Sequence, residues 1–173
     1  MNVKHLSIIL VIFIAALSRL IPHPPNFTPI IAIGLFSGFY FNNNKVLAIL
    51  VPFSAMLIAD IFLGFHFISL FVYLGLLLIV FVGFIIPNHN GTTSFDNVLC
   101  GSLGGSLTFF IISNFGVFLI GYPKSISGFI ACYTAAIPFF QTSIMADLLF
   151  TTVIFLSYDV IRANVYSLNA DSA

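Results

Sequence analysis

Arg19, Asp60 and Asp147 stand inside or at the mouth of long hydrophobic runs, in a chain with only five basic and five acidic residues in all. A charge at membrane depth costs on the order of 3 kcal/mol on insertion scales, so such a residue usually faces a bundle interior or an aqueous cavity, paired with another group. The densest polar stretch is Arg19-Leu20-Ile21-Pro22-His23-Pro24-Pro25-Asn26-Phe27-Thr28-Pro29. Its prolines fix φ, remove backbone donors and push each preceding residue toward extended geometry. The result is a stiff loop that presents Arg19, His23 and Asn26 over one mouth of a bundle as ligand contacts. The plainer reading is a helix-breaking connection from which Arg19 reaches lipid headgroups.

Asp60 and His66, separated by Ile-Phe-Leu-Gly-Phe, are expected at the level of that loop. A pair between Asp60 and Arg19 would offset the burial of both charges. Ser113-Asn114-Phe115-Gly116 adds Asn114 near the same end, and the last apolar segment adds Tyr133 and, beyond the helix-interrupting Pro138, Gln141. Phe27, Phe65 and Phe115 are expected to supply apolar walls, since small-molecule sites are mostly apolar concavities with a few placed polar groups. Asp147 lies deeper, with Thr151 one turn on and on the same face. A structural hydrogen bond and a transport role both remain open for it.

Sharper chemistries find no support. The chain has no Glu and its histidines lack the HExxH spacing, which removes a zincin site. Gly101-Ser102-Leu103-Gly104-Gly105 lies in an apolar run with no following Lys, unlike a phosphate-binding loop, and no Ser has the Gly-x-Ser-x-Gly setting. Cys100 and Cys132 read as buried thiols. No catalytic residue, cofactor or metal ligand is assigned.

The elements that must hold these residues follow from composition. Sixty per cent hydrophobic residues, twenty-two Phe and a mean hydropathy of +1.17 describe an integral membrane protein. Net charge near zero leaves no basis for nucleic-acid binding. Apolar runs predict six membrane segments at about 5–21, 29–41, 45–64, 68–87, 97–120 and 128–157, forming one all-α domain over 1–173 with a polar cytoplasmic tail at 158–173. Six is the favoured count, but the second run is short, and a half-helix or re-entrant piece is the alternative to a full span there. Lys4 and the run ending Ala16-Leu17-Ser18 resemble a signal peptide. The loop that follows looks like part of a site, so the first helix is expected to be retained. Lys4, Lys45 and Arg162 inside, against Arg19 and Lys124 outside, place both termini in the cytoplasm. Gly34 with Gly38, Gly101 with Gly105, and Ala55 with Ala59 allow close helix approach, within the bundle or toward a partner subunit.

The Arg19–Pro29 run, Ala59-Asp60-(x)3-Gly64-x-His66, Ser113-Asn114-Phe115-Gly116-Val117 and Cys132-Tyr133-Thr134-Ala135-Ala136-Ile137-Pro138-Phe139-Phe140 together resemble a little-characterised family of small bacterial inner-membrane proteins assigned to transport. That family is similar in size and span count to the substrate-binding S components of energy-coupling-factor (ECF) vitamin transporters. The resemblance implies a compact six-helix bundle that captures a vitamin-like or other organic solute at its outer mouth and docks an energising membrane module through small-residue faces. The set Arg19, His23, Asn26, Asp60, His66 and Asn114 matches the family's polar motifs. Metal uptake is disfavoured, because His5 follows a Lys and an apolar helix begins at once. Two other readings stand beside transport: a membrane-embedded enzyme using Asp60 and His66 as an acid–base pair, and a non-catalytic scaffold subunit.

Overall fold

The computed structural model describes residues 9–10, 13–14, 17, 20, 24–89 and 91–170. Five helices are formed among them: α1 (Ile30–Tyr40), α2 (Lys45–Leu63), α3 (Ser69–Ile85), α4 (Phe95–Gly121) and α5 (Ile126–Ala170). The expected segment over 5–21 lies largely outside the described residues, though Ile9 and Phe13 pack against the core. Among the described residues no strand is formed beyond a single His89–Thr92 bridge.

Local chemistry sets the helix ends. Asn44 and Ser94 cap α2 and α4 by accepting from the backbone N–H groups of Leu47 and Asn97, and Asp96 adds a favourable charge in the first turn of α4. Gly64 ends α2 at φ +88°, a conformation open to glycine without a Cβ penalty. The Lys124 ammonium donates to the carbonyls of Phe118, Leu119 and Tyr122, closing the C-terminus of α4.

Helices α2, α4 and α5 are each long and apolar enough to cross a membrane. Their outward faces suit lipid: Leu103, Leu107, Ile111, Phe115 and Leu119 recur at helical spacing along α4, all exposed. Helix α1 is different. Its 11 residues rise only about 16 Å, against roughly 30 Å of hydrocarbon, and Ile30 through Phe39 are all buried. It is a half-length helix enclosed by protein, touching all four of the others. This bears out the second of the two readings of the short 29–41 run. A helix apolar all round is a buried one.

In lipid the apolar effect does not drive helices together, so close packing and polar contacts must. Gly34 and Gly38 of α1 face Leu76, Ile79, Val80 and Gly83 of α3, while Gly101 and Gly105 of α4 receive Ile86, Leu35 and Ile31. Ser37 of α1 donates to the Ala48 carbonyl of α2 at 2.9 Å. Both GxxxG pairs are therefore used inside the bundle, leaving Gly104 with open space around it. At the end near Lys45, Asn42 and Asn88 donate to the carbonyls of Phe84 and Phe39, and Phe36, Phe39, Phe155 and Tyr158 pack ring against ring. That end is solid. Beyond the expected limit of the last segment, residues 158–170 continue α5 as helix, and its 45 residues rise about 67 Å.

Candidate functional site

The opposite end is hollow. A cavity of about 480 Å³ lies among α1, α3, α4 and α5 and the loop that precedes α1. At its rim the Phe27 N–H donates to the Pro24 carbonyl, with Pro25 and Asn26 between them and Asn26 at φ +62°. Proline followed by a positive-φ residue is the pattern of a type II turn, and Asn is one of the few side chains that tolerate the second position. Of the expected Arg19–Pro29 loop, the described part from Pro24 on thus contains a tight turn. Pro25 and Asn26 are exposed where they border the opening.

Inward from that rim, α4 lines the cavity with Asn114, Ser113, Phe110, Phe109 and finally Ser106. Helix α5 runs antiparallel to it and contributes Cys132, Ala136, Phe140, Ser143 and finally Asp147. Ser106 is 15 residues from the Gly121 end of α4, about 22 Å along the axis, so the floor sits near the middle of the helix. Asp147 is 2 % exposed and Ser106 1 %.

These two residues meet at the floor, with Ser106 Oγ 2.6 Å from Asp147 Oδ2 and 2.9 Å from the Ser102 carbonyl. One hydroxyl proton serves one acceptor at a time. When it points to Asp147 the carboxyl can be ionised; when it points to Ser102 the short contact requires a proton on the carboxyl. The serine rotor therefore suits either charge state. Just beneath, Thr151 donates to Ser102 Oγ at 3.3 Å and is itself buried. Among the described residues only Ser106 donates to Asp147, at Oδ2, and Asp147 itself lines the cavity.

The sequence-derived residues divide around this cavity. Asn26 and Asn114 line it. Arg19 and His23 lie outside the described residues, so their expected place at the mouth, and the Arg19–Asp60 pair, have no counterpart among the described contacts. Asp60 is buried near the end of α2 but does not reach the lining. His66 is exposed in the loop between α2 and α3, its N–H accepted by Ser69 Oγ. Tyr133 donates to the Ile111 carbonyl at 2.7 Å and packs on Phe110 and Phe129, which makes it a tie between α4 and α5 off the lining. Gln141 is exposed on α5.

The walls also differ from expectation. Phe65 and Phe115 are 61 % and 42 % exposed, and Phe27 packs edge-on against Phe150. Phe109, Phe110, Phe139 and Phe140 form the walls instead, with the Phe110 and Phe140 rings 4.4 Å apart. Ser106 escaped notice in the sequence. The signal was its four-residue spacing from Ser102, which puts both hydroxyls on one helix face.

A family described as "Family of unknown function (DUF6580)" matches residues 1–168. The chain belongs to DUF6580. No curated protein and no solved structure matches it.

Proposed function

We propose that the chain is a membrane transport protein that captures a small organic solute in the cavity between α1, α3, α4 and α5, in the manner of an ECF S component. The observation that carries this reading is the cavity's form: about 480 Å³, apolar walls, a rigid proline turn at the rim and a buried polar pair at the floor. That volume lies in the range of small-molecule sites, which are mostly apolar with a few placed polar groups. Below Thr151 the bundle is filled by Phe36, Phe39 and Phe155. A hollow closed at one end suits capture from one side better than continuous conduction.

The mouth is proposed to face outward from a bacterial inner membrane. Lys45 and Arg162 belong to the solid end, while Lys124, at the mouth, has its charge engaged by the carbonyls ending α4. The six-helix count, with a first helix over 5–21, and docking of an energising module remain part of the proposal. Gly104, with open space around it and exposed Leu103 and Leu107 beside it, is the small residue left for such a partner. A membrane-embedded enzyme has less behind it, because Asp60 and His66 both lie off the cavity lining.

The test is mass spectrometry of small molecules retained by gently purified protein, compared with Ser113→Phe, which fills the cavity from α4. A solute held by the parent and missing from the variant is expected. Identical profiles for the two proteins would sink the capture reading.

A further inference from the structure

The cavity's one carboxyl, that of Asp147, favours one kind of partner. Ser113 Oγ donates to the Phe109 carbonyl at 2.7 Å, and Asn114 Nδ2 donates to the Phe110 carbonyl at 2.8 Å. Ser113 spends its donor, and Asn114 one of its two, on the turn of α4 behind it, a common arrangement for short polar side chains in helices. What remains for a ligand on these residues is the Ser113 lone pairs, the Asn114 amide oxygen with one N–H, and the Asp147 carboxyl. Among the described residues, Asp147 is the sole Asp, Glu, Lys, Arg or His on the lining. A carboxylate removed from water is costly unless paired, and Ser106 meets only one of its oxygens. Phe109, Phe110 and Phe140 lie on the path from the mouth to that carboxylate, and aromatic faces attract cations.

We infer that the captured solute is an organic cation with an apolar or aromatic body, an ammonium or a similar donor group, seated with its charge on Asp147 and its body among Phe109, Phe110 and Phe140. This rests on the capture reading above and narrows it. Anionic solutes are disfavoured by the same geometry, since Asp147, the sole Asp, Glu, Lys, Arg or His on the described lining, is acidic.

Three indoles of one shape test the charge preference by equilibrium dialysis against the full-length protein in detergent, with detergent alone as the blank. They are tryptamine (cationic), indole-3-ethanol (neutral) and indole-3-acetate (anionic). The chain contains no Trp, so indole fluorescence reports the probe alone. Tryptamine is expected to bind at least about tenfold more tightly than indole-3-ethanol, with indole-3-acetate weakest. Asp147→Asn should erase the preference for tryptamine over indole-3-ethanol, and Asp147→Glu should keep it.

Indole-3-acetate binding as tightly as tryptamine, an unchanged preference in Asp147→Asn, or no binding by any of the three would each overturn the inference. The parent protein's ranking of the three probes decides the matter even if a variant fails to fold. Solute capture itself stands or falls separately, on the retained-molecule comparison with Ser113→Phe.

Discussion

Gly38 of α1 and Gly83 of α3 meet backbone to backbone: a Cβ built on Gly38 would lie 2.1 Å from the Val80 carbonyl oxygen, and one on Gly83 would lie 2.3 Å from that of Leu35. No rotamer relieves a clash with backbone, so the half-length helix at the centre of the bundle keeps its place only while both positions lack a side chain.

Gly38→Ala is expected to destabilise the protein in detergent by about 2 kcal/mol or more, overpacking outweighing the gain of about 1 kcal/mol in helix propensity. Gly104→Ala, with open space around it, should be neutral or slightly stabilising. Thermal unfolding of the two variants side by side checks the contrast. Equal destabilisation would mean that the glycines are not distinguished by the α1–α3 crossing.

Ser106→Ala removes the hydroxyl that links Asp147 to the Ser102 carbonyl, and a lost buried hydrogen bond to a charged or strongly polar group costs about 1 to 3 kcal/mol. Asp147→Asn keeps an oxygen for Ser106 to donate to, so its stability should stay close to the parent's. Unfolding midpoints that put Asp147→Asn well below Ser106→Ala would show that the carboxylate is held by more than this contact.

At Asn26, a positive φ makes the choice of substitution decisive. Asn26→Gly removes the side chain at the rim while suiting the backbone, so folding should be unaffected and solute retention weakened. Asn26→Val places a β-branched residue in the left-handed region and should cost roughly 1 to 2 kcal/mol. Near-equal unfolding temperatures for the two variants would argue against the turn between Pro24 and Phe27.

The sequence by itself determined the membrane class and the helices from α1 to α4 nearly to the residue. Helix ends depend on local chemistry: the Asn42–Asn44 run, the Asn44 and Ser94 caps, Gly64 and the prolines before α1 are all legible one position at a time. It also singled out Asp147 and the stiff rim, but not which polar residues share a cavity.

That choice belongs to the tertiary structure. In water, the apolar stripe of a helix reveals its inward face; in lipid, the outward face is apolar as well. Along α4, exposed Leu103, Leu107 and Ile111 are as hydrophobic as anything the helix buries, whereas its inward face carries Ser102, Gly105 and Ser106. Hydropathy therefore left the rotation of each helix open, with about 100° per residue separating a wall of the cavity from a lipid contact. Packing decided it. The close approach of Gly38 and Gly83 seats α1, and the Ser106–Asp147 contact joins α4 to α5, bringing Asn114 and Asp147 to one hollow while Tyr133, Gln141 and Asp60 lie off it.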